Sequence, residues 1–168
     1  MKKLFAILLA VALFASMATV VSAANTTTLT TTVPAATYTL NIPANQEIPF
    51  GNTSTEIGTL TVTDEIGFAV GKNLKVTITY SDFTCEDTTT TIPMEVKVHY
   101  ESTSGADTIA SGDSLVFYGT SAGKLQTPHN SGKSLDHISV AVNSSDWGKA
   151  LAGEYTATIT FTAEVVAR

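Results

Sequence analysis

Three histidines, one cysteine and fifteen acidic residues are the side chains of this chain that offer general bases, soft metal ligands and carboxylates. A transition-metal site draws on histidine and cysteine at short, regular spacings that put two ligands on one face. His99, His129 and His137 show no H-x-x-x-H spacing, and a single cysteine makes no C-x-x-C. Serine hydrolysis needs a nucleophile, a histidine and a carboxylate converging beside an oxyanion hole, and no nucleophile elbow of the G-x-S-x-G kind is expected in this chain. Asp82, Glu86 and Asp87 share one short stretch, "SDFTCEDTTT", but lack the alternate-residue ligands and the glycine of a calcium loop. Fifteen acids always let some pair fall close, so a glycosidase-like carboxylate pair carries no weight here. The expectation is no catalytic residue, no cofactor and no metal.

The ends and the charge narrow the class. "MKKLFAILLAVALFASMATVVSA" has two lysines, an apolar run and a Val21-Ser22-Ala23 cleavage site, and reads as a secretory signal peptide, residues 1–23. Loss of Lys2 and Lys3 with it leaves seven basic residues against fifteen acidic ones, a net charge near −8. Such an acidic chain has no electrostatic footprint for nucleic acid or anionic lipid. With no second apolar span and no hydrophobic tail, a secreted, extracellular protein associated with the cell surface is expected, without a membrane role after cleavage. Cys85 has no internal partner, so the fold must rest on its core, and the residue reads as a tolerated, partly buried thiol, with an intermolecular bridge as the alternative. Asn25, Asn52 and Asn143 each open an N-x-S/T triplet, unremarkable in so Thr- and Ser-rich a chain.

The elements that must position these residues are strands. In "NLKVTITY", Leu74, Val76, Ile78 and Tyr80 alternate with polar residues. In "TIPMEVKVHY", Ile92, Met94, Val96, Val98 and Tyr100 do the same, and the closing "GEYTATITFTAEVVAR" sets Tyr155, Ala157, Ile159, Phe161, Ala163 and Val165 in one row. Period two over eight or more residues is a strand with one dry and one wet face, rich here in the β-branched residues that suit a pleated surface. "TYTLNI" adds Tyr38, Leu40 and Ile42, "HISVAV" adds Ile138, Val140 and Val142, and "EIGTLTVT" puts Ile57 out of phase with Leu60 and Val62, predicting a bulge near Gly58. Residues 24–168 read as a single all-β domain, an antiparallel immunoglobulin-like β-sandwich of about seven to nine strands, with an eight-stranded barrel as the alternative. One short helical turn is expected in "NSSDWGKALAG", capped by Ser144 or Ser145 and ended by Gly153, with Trp147 plugging an open end of the sandwich.

Two features point to partners. "SLVFYG" is apolar on both faces, so either Leu115 and Phe117 or Val116 and Tyr118 must turn outward. The Thr-rich N-terminal segment 24–34 sets Leu29, Thr31 and Val33 on one face before Pro34, as an ordinary edge strand or as an arm that adds a strand to a neighbouring subunit. Trp147, and beside it Tyr118 or Tyr100, are candidates for stacking on a sugar.

"TTTVPAATYTLNIPANQEIPFG", "GTLTVTD" and "DWGKALAGEYTATITFTAEV" together resemble small secreted or surface-displayed immunoglobulin-like proteins of Gram-positive bacteria. The closing strand is also similar to the last strand of fimbrial and spore-coat-U-like subunits. The resemblance implies a surface role, in adhesion or in a pilus-like or coat-like assembly, and brings no catalytic residues. The chain departs from fimbrial pilins in lacking their cysteine pair, so chaperone-dependent pilus assembly is not implied. The expected function is a non-enzymatic exported structural or adhesive subunit, self-associating or bound to other surface proteins. The alternative is a secreted carbohydrate-binding module using exposed aromatics.

Overall fold

Alternation of apolar and polar residues leaves an extended backbone one economical arrangement: strands paired so that the apolar rows turn toward each other. The computed structural model describes residues 29–31, 35–68, 71–102, 105–130 and 132–168. The leader 1–23 lies outside them. The chain divides into two units, Met1–Thr32 and Val33–Arg168. Of the first, residues 29–31 are exposed and in no strand.

The second unit is an all-β sandwich. Its strands are β1 (Thr37–Asn41), β2 (Ser54–Gly58), β3 (Thr61–Ile66), β4 (Lys72–Tyr80), β5 (Phe83–Thr84), β6 (Thr91–Ile92) and β7 (Glu95–Tyr100). They continue with β8 (Ala106–Ile109), β9 (Ser114–Gly119), β10 (Leu125–Gln126), β11 (His129–Asn130), β12 (Lys133–Ala141) and β13 (Ile159–Ala167). One sheet runs β10-β9-β4-β13 and the other β8-β7-β12, with β2 on the far side of β12 and β11 forming a hairpin with its first residues. β1 pairs with β3, β5 pairs with β6, and every pairing is antiparallel.

The inner rows meet in one core. Leu74, Val76 and Ile78 of β4 join Leu115 and Phe117 of β9, Val96 and Val98 of β7, and Ile138 and Val140 of β12. Each such side chain taken from water contributes about 1.5–3 kcal/mol, which is what holds a domain without a disulfide. Leu60 and Phe68, beside β3, are also fully buried, and Phe68 meets the Tyr38 ring edge-on at 6.1 Å.

Several expectations are refined. The "EIGTLTVT" run is two strands: Gly58, at φ 122°, ends β2 in one sheet, and β3 starts in another. The bulge is present there, since Gly58 faces Ile138 while Glu56 faces Ser139, leaving Ile57 the extra residue. "TIPMEVKVHY" also divides, at Pro93 and Met94, where proline has no N–H to give a ladder. Ile42 falls beyond β1 and is exposed. The helical turn α1 (Ser144–Trp147) follows Asn143, not a capping serine. Asn143 is extended at the N-cap and makes no side-chain cap bond. Gly148, not Gly153, ends it. Gly153 has another role: a Cβ placed on it would lie 2.6 Å from the Sγ of buried Cys85.

Candidate functional site

The last strand is where the sandwich is incomplete. Among the described residues β13 pairs with β4 alone, so its other side is there a sheet edge of nine residues. In an antiparallel ladder, alternate residues turn both backbone groups to the same neighbour. The Arg168 amide donates to the Gly71 carbonyl (2.8 Å) and the Ser81 amide to the Thr158 carbonyl (3.1 Å), so the even positions face β4. Ile159, Phe161 and Ala163 therefore point their N–H and C=O groups away from the sheet. At Ala163 the Tyr38 hydroxyl donates to that carbonyl at 3.4 Å. Ile159 and Phe161 are left as open backbone.

The side chains of the same residues face inward yet are only half-buried, as are Tyr155 and Ala157 before them. Val165, expected in that row, is 41% exposed. The reason is a groove of about 450 Å³ along this edge. Ala157, Ile159 and Phe161 form one wall, Met94 and Val140 reach it from the opposite sheet, and the segment from Ile42 to Ile48 rims it. No lining residue carries a charge. On the opposite sheet the nearby β2 edge is already occupied at Glu56, whose carbonyl accepts a hydrogen bond from Gln46 Nε2 at 2.8 Å. Protein edges are normally blunted by lysine, proline, bulges or brevity. β13 has no proline or lysine and no irregularity in its register, and its one charge, Glu164, is paired with Lys75 at 2.8 Å.

The residues expected at partner contacts fall in different places. Leu29 is 90% exposed, Thr31 is exposed as well, and Val33 lies outside the described residues. In β9, Leu115 and Phe117 take the core, and Val116 and Tyr118 form part of the outer face, Tyr118 at 37% exposure with His129 5.7 Å from its ring. Trp147 is not a stacking platform. It is 8% exposed, its Nε1 donates to the Asn52 carbonyl at 2.7 Å, and Phe50 lies edge-on to it at 5.3 Å. It fills the core beside Phe83, which is the plugging role expected of it. Tyr100 also turns to the core row, and its burial, with Asp107 nearby, raises the phenol pKa.

Two groupings have the look of reactive chemistry. His99 Nε2 lies 2.8 Å from Ser139 Oγ, and the His99 ring stacks on His137 at 4.1 Å. Ser139 is 2% exposed, so a substrate carbonyl has no approach to its oxygen. Burial and the neighbouring His137 lower the His99 pKa. Against the expectation of no such pattern, the string Gly119-Thr120-Ser121-Ala122-Gly123 matches G-x-S-x-G letter by letter. It is the hairpin turn from β9 to β10, closed by the Thr120 amide on the Lys124 carbonyl at 2.8 Å, whereas a nucleophile elbow joins a strand to a helix. Among the described residues no three His, Cys, Asp or Glu side chains are grouped as metal ligands. Asp82 Oδ1 accepts the Met94 amide at 3.2 Å, which ties its loop to the start of β7.

The class these features define is an antiparallel all-β sandwich in which, among the described residues, β13 is an edge strand beside a groove lined by uncharged residues. No family model, no curated protein and no solved structure matches the chain.

Proposed function

We propose that this chain is a non-enzymatic, exported surface protein, a structural or adhesive subunit that works through strand-edge and sheet-face contacts. The observation that carries the reading is the β13 edge, with Ile159 and Phe161 turning backbone groups outward beside a groove lined by uncharged residues. An added strand satisfies both deficits together: it completes the ladder and covers the apolar wall. The lysine-led leader and the acidic remainder of the chain support export. The immunoglobulin-like resemblance and the pilus-like or coat-like role belong to this proposal.

The test is the assembly state of the chain from Ala24 onward, by light scattering and electron microscopy across a wide concentration range. Among the described residues the core holding the sandwich lies between Ala36 and Ala163, within this chain. Concentration-dependent assembly is expected; a strict monomer throughout would refute the reading.

A second reading, a carbohydrate-binding module, draws on Tyr118, exposed on the outer face beside Val116. Binding on a glycan array that is lost in Tyr118→Ala, with the fold intact, favours it; a silent array counts against it.

A further inference from the structure

We infer that His99 and His137 form a proton-operated latch on the β8-β7-β12-β2 sheet. The stacked pair holds one proton but not two, and uptake of the second releases the end of β12 that lies beyond it. The latch goes beyond the proposed function and does not depend on it.

The two histidines are direct partners across the β7–β12 ladder. Their rings stack at 4.1 Å, 14° from parallel, half-buried on the face away from the core. Each ring also has a hydrogen-bond partner on β12. His99 Nε2 lies 2.8 Å from Ser139 Oγ, and His137 Nδ1 lies 3.1 Å from Asp136 Oδ2. Ser139 is 2% exposed, so His99 rather than water serves its hydroxyl.

Charge sets the limit of one. A first proton has a counter-charge at hand in the Asp136 carboxylate. A second puts two positive rings 4.1 Å apart in a setting partly screened from water, where like charges repel far more than in bulk solvent. The other charged groups around the pair do not offset this. Glu56 on β2 favours a positive His99, whereas Lys97 on β7, paired with Glu95 at 3.2 Å, opposes it. β8 places Ala106 opposite His99, and its Asp107 accepts a hydrogen bond from Asn130 at 2.7 Å. Burial, and after it the neighbouring His137, hold His99 in the stack below its ordinary value of 6.5. Rings set apart regain their affinity for protons, so acid favours the open pair.

The pair sits where β12 can give. The register slips between Leu135 and His137, which makes Asp136 an extra residue, and Ile57 is the extra residue on the β2 side of Ile138 and Ser139. Bulges interrupt a ladder, so fewer bonds hold the stretch next to the stack. Beyond the Asp136 bulge, the Leu135 amide donates to the Pro128 carbonyl at 2.7 Å and the Glu101 amide to the Ser134 carbonyl at 2.9 Å. Opening of the stack withdraws the His99 ring from Ser139 and loosens these two bonds, while the ladder from Ile138 to Ala141 stays paired.

Two measurements test the latch between about pH 7.5 and about pH 5, where imidazoles titrate and carboxylates stay largely ionised. NMR follows the His99 and His137 ring protons. Hydrogen exchange follows the Leu135 and Glu101 amides, corrected for the intrinsic effect of pH. Two separate ring titrations are expected, with protection at both amides falling in the lower step. The fall should be at least about tenfold, the change in open population that one unit of pKa separation supplies. His137→Phe keeps a ring against His99 but takes up no proton, so its protection should stay constant across the window. His99→Gln is a second variant with the same expectation, and a cooperative thermal transition at about pH 7.5 shows that either variant is folded. A fall of equal size in the parent and in both variants overturns the latch, since acid is then acting elsewhere. Rings that titrate together as independent groups, or constant protection in the parent, overturn it as well.

Discussion

Replacing Trp147 separates a core plug from a sugar platform. The ring is 8% exposed, lies against Phe50 at 5.3 Å and Phe83 at 6.5 Å, and its Nε1 donates to the Asn52 carbonyl at 2.7 Å. Trp147→Ala removes the buried ring and leaves a cavity at the end of the core, a change that costs about 3–5 kcal/mol. Trp147→Phe keeps an aromatic against Phe50 but gives up the indole hydrogen bond, a loss of about 1 kcal/mol before any repacking. For a domain nearing 150 residues each kcal/mol moves the melting midpoint by about 2–4 °C, so the alanine variant should melt about 6–20 °C below the parent and the phenylalanine variant about 2–4 °C below. Circular dichroism is the suitable assay, because Trp147 is the sole tryptophan and its fluorescence disappears with it. An alanine variant melting within about 2 °C of the parent would refute the plug and its energetics. Loss of glycan binding at an unchanged midpoint would transfer the residue to the recognition reading.

Three further outcomes follow from other parts of the fold. Gly153→Ala pushes a methyl to 2.6 Å from Cys85 Sγ and should cost about 1–3 kcal/mol in denaturant titrations, much of it relieved in a Cys85→Ala background; equal losses in both backgrounds would show that the sulfur is not the obstacle. His99 is held below its ordinary value of 6.5 by burial and by stacked His137, opposed by Asp136 and Glu56, with Lys97 adding to the lowering. The unfolded chain therefore takes up a proton where the fold does not, so this contribution is whole above about pH 6.5 and lost as the pH falls toward the lower folded value. His99→Gln should flatten the decline in thermal midpoint across that window, and an unaltered slope would count against it. Lys75→Ala breaks the 2.8 Å pair with Glu164 on an exposed face and should cost under about 1 kcal/mol, shrinking further in high salt; a larger, salt-insensitive loss would mean that the pair is better shielded than its exposure implies.

Much of the sandwich was legible in the chain itself. Leu74, Val76 and Ile78, Val96 and Val98, and Ile138, Val140 and Val142 are buried as their alternation requires, because side-chain direction along a strand has a period of two whatever lies beside it. Ile57 out of phase before a glycine marked the bulge for the same reason. The capping of the helical turn was misread because Asn143 and Ser144 are both ordinary N-cap residues, and only backbone geometry decides between them.

Alternation reports faces and is silent about neighbours. "TATITFTAEV" shows which row turns inward but not that, among the described residues, the strand has a partner on one side only, or that the inward row lines a groove. "SLVFYG" fits either orientation until β9 is set beside β4, which puts Leu115 and Phe117 in the core and leaves Val116 and Tyr118 outside. Pro93 and Gly58 divided runs that read as continuous, since a missing N–H and a positive φ act on the ladder rather than on the hydrophobic pattern. Sequence by itself determined that this chain forms strands and which rows most of them bury; that Trp147 packs in the core came from the fold. The order of strands within each sheet was decided by tertiary structure alone, because edges and grooves arise from how sheets end, and that is fixed by contacts between residues far apart in the chain.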